Sequence, residues 1–141
     1  MTVAATTLAA LVCHAHVDMA IVCLGSIRGL CAMPVLRIHD DGTLTAQDAD
    51  RLENGLGGAV VVSRRAADER MEEVLKRHPA LRMLRRKLAL SLKLLDVVLL
   101  SDSDEVVYVD SDILFWRRFN FPSLAAGIGG KLARPDRPVV A

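Results

Sequence analysis

The chain has 141 residues, of which 52% are hydrophobic and 25% charged, and its formal net charge is +1. This length allows one domain with a real core, and the near-neutral charge gives no reason to expect a nucleic-acid or strongly acidic partner. The three cysteines, Cys13, Cys23 and Cys31, are odd in number and lack CxxC spacing. We therefore expect no disulfide or zinc site, and a reducing, cytoplasmic compartment.

The N-terminal residues are apolar from Val3 to Cys13, like the hydrophobic part of a signal peptide. They lack a basic start and a small-residue cleavage site. His14, His16 and Asp18 interrupt the apolar run well short of the ~20 residues that a membrane span needs. We expect residues 1–30 to belong to the core, with a membrane-associated N-terminus as the alternative.

The spacing of apolar residues predicts strands and helices that alternate along the chain. In the first half we expect a buried strand at 8–13, a helix at 17–30 that Gly29 can end, a strand at 35–39, a helix from Thr45 to about Asn54 with a Thr45–Asp48 capping box, and a strand at 59–62 covered on both faces. In the second half we expect a helix at 66–77 ended by Pro79, a helix at 84–100, and a buried strand at 105–109. Such alternation indicates βαβ units around a mainly parallel sheet, which is an α/β fold.

The composition shifts to Gly, Ala and Pro after Phe121. We therefore expect one domain at 1–121, followed by a loosely ordered tail at 122–141.

Two carboxylates, Asp110 and Asp112, directly follow the last predicted strand. Ligands of open parallel sheets bind beyond the carboxyl ends of the strands. Two carboxylates held close together repel each other, and a divalent cation that also binds substrate phosphates relieves that repulsion. The structural alternative is an ordinary turn at the end of a strand.

A second Asp-x-Asp triplet, from Asp102 to Asp104, offers an internal comparison. It precedes the strand, so we expect it in a solvated loop at the amino edge, without a site.

All five aromatic residues of the chain lie between positions 108 and 121. They are Tyr108, Phe115, Trp116, Phe119 and Phe121. Such a cluster indicates either the wall of a pocket for a base or sugar, or a local hydrophobic core.

Three stretches in order resemble the GT-A glycosyltransferases of the nucleotide-diphospho-sugar transferase group. They are IHDDGTLT at 38–45, LKLLD at 92–96 and VDSDILFWRR at 109–118. The resemblance covers roughly residues 8–119 and implies a Rossmann-like, three-layer fold. It implies binding of a nucleoside diphosphate sugar, mostly UDP-linked, through Mn²⁺ or Mg²⁺, and transfer of the sugar to an acceptor that the sequence does not identify.

The resemblance also implies roles for individual residues. Asp112 would bind the metal directly, and Asp110 would contact metal and ribose, with Ser111 between them at the nucleotide. The remaining donor-site residues it implies are Cys13 and His14 at the nucleotide, Asp40 and Asp41 at the base or ribose, and Lys93 near the diphosphate. For Lys93 the sequence favours a different role, an ion pair with Asp96 in the same helix.

The chain departs from the family after the metal motif. A full GT-A domain is longer, and its later part supplies the acceptor site, any catalytic base and often a histidine ligand. The four histidines here all precede Asp112. The fold is therefore expected to be incomplete on its C-terminal side, which leaves transfer by this chain alone in doubt and identifies no catalytic residue.

Two other functions stay open. A haloacid-dehalogenase-type phosphotransferase also places Asp-x-Asp after a hydrophobic strand, but that family has Thr or Val shortly after the second Asp, whereas Ile113 and Leu114 follow here. The other alternative is an inactive, truncated domain that binds partners through an open sheet edge.

Two further patterns are given structural interpretations. The His14-x-His16 pair with Asp18 has metal-like spacing, but a turn into a helix there is the favoured interpretation. Seven basic residues and no acidic residue lie from 76 to 93. We interpret this run as a solvated helix face, not as a surface for nucleic acid or anionic lipid, because the aromatic residues that would stack on bases lie elsewhere.

Overall fold

A computed structural model describes residues 7–31, 35–103 and 106–119, which form a three-layer α/β fold. Its sheet has four strands: β1 (Thr7–Val12), β2 (Val35–Asp40), β3 (Val60–Val62) and β4 (Val106–Tyr108). Their order is β3-β2-β1-β4, and every pairing is parallel. The predicted α/β class and parallel sheet are confirmed. The predicted tail at 122–141 lies outside the described residues.

The helices cover both faces of this sheet. They are α1 (Val17–Gly25), α2 (Ala46–Gly55), α3 (Arg64–Val74), α4 (Pro79–Lys87) and α5 (Leu90–Leu99). One core lies between the sheet and α1 and α2, and it includes Leu8 of β1, Leu24 and Leu52. A smaller core on the opposite face joins α3 and the end of α5 through Met71 and Leu100. These two cores are the hydrophobic interiors of a doubly covered sheet.

The end of α1 differs from the prediction, whereas the covering of β3 agrees with it. The helix expected at 17–30 stops at Gly25, and tighter turns follow; the hydroxyl of Ser26 donates a hydrogen bond to the carbonyl of Cys23, which is typical of a helix end. Gly29 adopts a positive φ of 74°, as a chain-reversing glycine can. The β3 strand packs on a core on each face, as predicted, through Val61 on one side and Val62 on the other. It has only three residues and lies at the edge of the sheet, where Val60 is exposed.

The helices between β3 and β4 also differ. Pro79 does not end a helix; it occupies the first turn of α4, where the missing N–H costs nothing. The single helix predicted at 84–100 is two helices, because Leu88 is extended and interrupts it. The hydroxyl of Ser91 donates to the carbonyl of Leu88 at 2.6 Å and accounts for one backbone group left free by that interruption.

A buried ion pair explains why α4 and α5 fold back on each other. The Arg85 guanidinium donates to both carboxylate oxygens of Asp96, at 2.7 Å each, and also to Asp68 of α3 at 2.6 Å. Arg85 and Asp96 are buried, so each charge depends on the other. This two-point contact fixes the angle between the two helices and connects both to α3.

We expect Asp96→Asn to lower the free energy of unfolding by about 3 kcal/mol, because the buried guanidinium loses its buried two-point charged partner and keeps only the half-exposed Asp68. Urea unfolding followed by circular dichroism measures this change. Asp50→Asn, an exposed change on α2, serves as the control and should cost almost nothing. Equal stability of both variants would contradict a structural role for the pair.

His39 is a second buried polar group, on β2. The residue is 2% exposed, and neither ring nitrogen has a hydrogen-bond partner among the residues that the structure describes. Burial lowers the pKa of His39 below 6.5, the nearby Asp96 opposes this effect, and Arg37 adds to it. The ring is therefore held neutral in the folded protein, while the unfolded chain takes up a proton in mild acid.

We expect the free energy of unfolding to fall as the pH drops below about 6.5, because only the unfolded chain then binds a proton at this position. His39→Leu should abolish this component and stabilise the protein by about 1 kcal/mol, since it also removes an unpaired buried group. Urea unfolding at about pH 5 and about pH 7.5, on either side of the histidine range, tests both effects. The exposed His78→Leu control should keep the wild-type pH dependence; an identical dependence in His39→Leu would refute the assignment.

Candidate functional site

The carboxyl ends of three strands meet at one edge of the sheet. Val12 pairs with Asp40 at the ends of β1 and β2, and Ala9 pairs with Tyr108 at the end of β4. The residues that follow these strands therefore come together around a cleft of about 350 Å³. Six of the site residues that were predicted from the sequence line this cleft: Cys13, Asp41, Lys93, Asp110, Ser111 and Asp112. This is the location at which open parallel sheets bind ligands.

Two predicted site residues do not line this cleft. The side chain of His14 is directed to the start of α2, where its Nδ1 lies 2.6 Å from an Asp48 oxygen. Asp40 accepts hydrogen bonds from the backbone N–H groups of Gly42, Leu44 and Arg64. Both residues shape the loop after β2 and its neighbouring helices.

The loop from Asp41 to Thr45 is tightly organised beside the cleft. Asp41 accepts hydrogen bonds from both the backbone N–H and the hydroxyl of Thr43, and Gly42 has a φ of 107° that other residues rarely adopt. The predicted Thr45–Asp48 capping box is confirmed. Hydrogen bonds from Thr45, and then His14, lower the pKa of Asp48 to about 2. The carboxylate of Asp41 is thus presented by a fixed loop.

Lys93 contacts the first aspartate of the motif. Its Nζ donates to Asp110 Oδ1 at 2.5 Å and lies 5.4 Å from the centre of the Tyr108 ring. The predicted pair with Asp96 is wrong, because Arg85 binds Asp96 and Lys93 faces the cleft. The hydrogen bond to Asp110 raises the pKa of Lys93, and the same contact lowers the pKa of Asp110. Both groups are therefore held charged.

Tyr108 completes a three-residue contact with Lys93 and Asp110. Its hydroxyl donates to Asp110 Oδ1 at 2.9 Å. Burial, first, and this hydrogen bond raise the pKa of Tyr108 to about 12, while Lys93 acts in the opposite direction. One oxygen of Asp110 thus accepts two donors. Within the described ranges, its other oxygen has no hydrogen-bond partner.

Asp112 differs from Asp110. It lies exposed in the cleft, and its carboxylate has no hydrogen bond or ion pair to any residue that the structure describes. Ser111, between the two, is buried. The described residues contain no cluster of three His, Cys, Asp or Glu side chains able to hold a metal. Two carboxylates nevertheless fit a Mg²⁺-like cation whose other ligands are waters and phosphate oxygens.

The cleft also includes three residues that were not predicted to contact the donor: Leu11, His16 and Met19. His16 belongs to a 3₁₀ turn, His14–His16, which directs the two histidines to different places. Asp18 instead pairs with Arg51. The three side chains therefore have different contacts, and the predicted turn into a helix is confirmed. The histidine spacing alone pointed to His16, but only the turn shows which ring reaches the cleft.

The aromatic residues mostly form a local core. Phe115 and Phe119 stack with ring centres 5.3 Å apart and pack against the α1 side of the sheet. Trp116 is exposed, and Phe121 lies outside the described residues. Phe115 and Phe119 therefore follow the second interpretation of the aromatic cluster, a local hydrophobic core. Tyr108 instead lies beside the cleft, in contact with Asp110.

The basic run from 76 to 93 is not a uniformly solvated face. Arg85 is buried, and Arg82 and Arg86 both pair with Glu72. Lys76 and Lys93 also have acidic partners. Most of the basic side chains of this run therefore form ion pairs with acidic side chains from outside it.

Comparisons with known protein families, with curated protein sequences and with solved structures found no match. Among the described residues no helix is long and apolar enough to cross a membrane. Any functional conclusion therefore depends on the cleft itself.

Since the chain has one tyrosine, tyrosinate absorbance in a pH titration reports Tyr108 alone. We expect a pKa of about 12. Asp110→Asn should lower this pKa by on the order of one unit, because the negative charge that disfavours tyrosinate is lost. Asp112→Asn provides the matched control and should leave it unchanged. An unaltered pKa in Asp110→Asn would show that the hydroxyl and carboxylate are not in contact.

Proposed function

We propose that this cleft binds a nucleoside diphosphate sugar, as in the donor-binding half of a GT-A glycosyltransferase. The observation that carries the proposal is the convergence of Asp41, Lys93, Asp110 and Asp112 on one cleft, beyond the carboxyl ends of a parallel sheet. They come from three separate segments of the chain: the loop after β2, helix α5 and the segment after β4. The corresponding reaction moves the sugar from the nucleotide to an acceptor.

Asp110 and Asp112 are the residues that would hold a divalent cation, Mn²⁺ or Mg²⁺. When bound, such a cation stabilises the negative charge of the nucleoside diphosphate as the sugar leaves. The carboxylate of Asp112 is exposed in the cleft. In Asp110, Oδ1 accepts from Lys93 and Tyr108, so Oδ2 is the oxygen that would bind the cation. Cys13 and Asp41 line the same cleft and would contact the nucleoside.

Lys93 has two roles in this proposal. In the free protein its ammonium group balances the charge of Asp110 at 2.5 Å. A cation at Asp110 competes with that contact. Lys93 lines the same cleft and its side chain is flexible, so it can turn to the phosphate oxygens of the donor.

The proposal predicts metal-dependent nucleotide binding. In calorimetric titrations we expect UDP to bind when Mn²⁺ is present and to bind at least about tenfold more weakly without it, a difference of ~1.4 kcal/mol. Asp112→Asn should remove the metal dependence, because it neutralises the exposed carboxylate.

The upstream triplet supplies the control for this experiment. Asp102 has the same local Asp-Ser-Asp sequence but pairs with Arg37 at the other edge of the sheet. Asp102→Asn should bind UDP and Mn²⁺ like the wild type. Nucleotide binding that ignores Mn²⁺, or is lost equally in both variants, would exclude a metal held by Asp110 and Asp112.

Replacing Lys93 should change two affinities in opposite directions. We expect Lys93→Met to bind Mn²⁺ alone several-fold more tightly, because a competing cation is removed, and to bind UDP with saturating Mn²⁺ several-fold more weakly. Manganese binding is measured by electron paramagnetic resonance and UDP binding by calorimetry. Lys87→Met, at the end of α4, should change neither. Parallel weakening of both ligands in Lys93→Met would indicate a purely structural role.

A further inference from the structure

An apolar stripe covers the outer side of α5. Leu90, Leu94 and Val98 recur every four residues and are 67%, 69% and 62% exposed. This spacing places them on one face of the helix, away from the sheet, α3 and α4. In the described part of the chain nothing covers this stripe, so it has the pattern of a buried helix face without a partner.

The neighbouring strand β4 also lacks a partner. It forms the edge of the described sheet and pairs only with β1. The N–H of Val109 donates to the carbonyl of Ala9, so by alternation the backbone groups of Val107 also face β1. The N–H and C=O groups of Val106 and Tyr108 therefore point away from the sheet, where they can pair with another strand.

We propose that a second copy of this chain covers both features, in a twofold-symmetric dimer. Two β4 strands can pair antiparallel about Val107, so that Val106 of each copy faces Tyr108 of the other. The N–H and C=O groups of Val106 in each copy then bond to those of Tyr108 in the other copy, as in a hydrogen-bonded pair of an antiparallel ladder. Because α5 packs on β1 and β4, the same axis places both α5 helices on one face of the joined sheet, where their apolar stripes can meet. The interface is thus the same surface on both copies.

The amount of surface agrees with this assignment. Leu88, just before α5, and Leu84 on the contacting helix α4 are also exposed, and with the stripe these five side chains expose on the order of 400 Å² of apolar surface, against ~800 Å² per partner in a stable complex. The backbone edge of β4 contributes the remainder. An anionic surface is a poorer occupant, because Arg82 and Arg86 near the stripe are already paired with Glu72.

Sedimentation equilibrium of the full chain tests the proposal. We expect a mass of twice 15.3 kDa at micromolar concentration. Leu94→Glu should raise the dimer dissociation constant at least about tenfold, because it places two charges in an apolar interface. The matched control, Val22→Glu, changes a residue that is equally exposed, at 66%, but lies on α1 across the sheet, and it should stay dimeric.

Hydrogen exchange of the wild-type protein gives a measurement that needs no variant. The β4 amides should exchange more slowly at high than at low protein concentration, whereas α1 amides should not respond. A monomer at every concentration, or a Leu94→Glu variant that remains as dimeric as wild type, would overturn the proposal. So would β4 exchange that is independent of concentration. This test uses no nucleotide or metal, so its outcome is separate from that of the donor-binding proposal.

Discussion

The position of β1 at the centre of the sheet is the constraint on which the other features depend. It pairs with β2 on one side and β4 on the other, and both pairings are parallel. Their carboxyl ends therefore lie side by side, which brings Cys13, Asp41 and Asp110 to one cleft. A shift of one residue in either register would turn alternate side chains to the opposite face and separate these groups.

Two ion pairs between neighbouring elements, Arg85–Asp96 and Lys93–Asp110, differ in how deeply they are buried, and burial decides whether the partners can exchange. Arg85 binds Asp96 where both side chains are almost fully buried, at 7% and 4% exposure, so neither charge can change partner without a large desolvation cost. Lys93 binds Asp110 where the exposures are 31% and 53%, and water can replace either partner at little cost. The first pair fixes the angle between α4 and α5. The second is exchangeable, as a ligand-binding group must be.

The sequence was most informative where local rules decide the structure. The strand before Asp110 and the Thr45–Asp48 capping box follow from short-range patterns that tertiary contacts only reinforce. It failed where partners come from distant parts of the chain. Lys93 is three residues from Asp96, but Arg85 binds that carboxylate and leaves Lys93 to Asp110. Likewise, the leucine repeat across 84–100 is continuous in sequence, while the extended Leu88 divides it into two helices.

The strand that precedes Asp110 and Asp112 is, like β3, a short edge strand of the described sheet. It has three residues and a single neighbouring strand, and it positions both Tyr108 and Asp110. Short edge strands open easily, because few hydrogen bonds hold them. Pairing of two β4 strands would add hydrogen bonds at Val106 and Tyr108 without using the side chains that face the cleft. The proposed dimer would therefore also order Asp110 at the cleft.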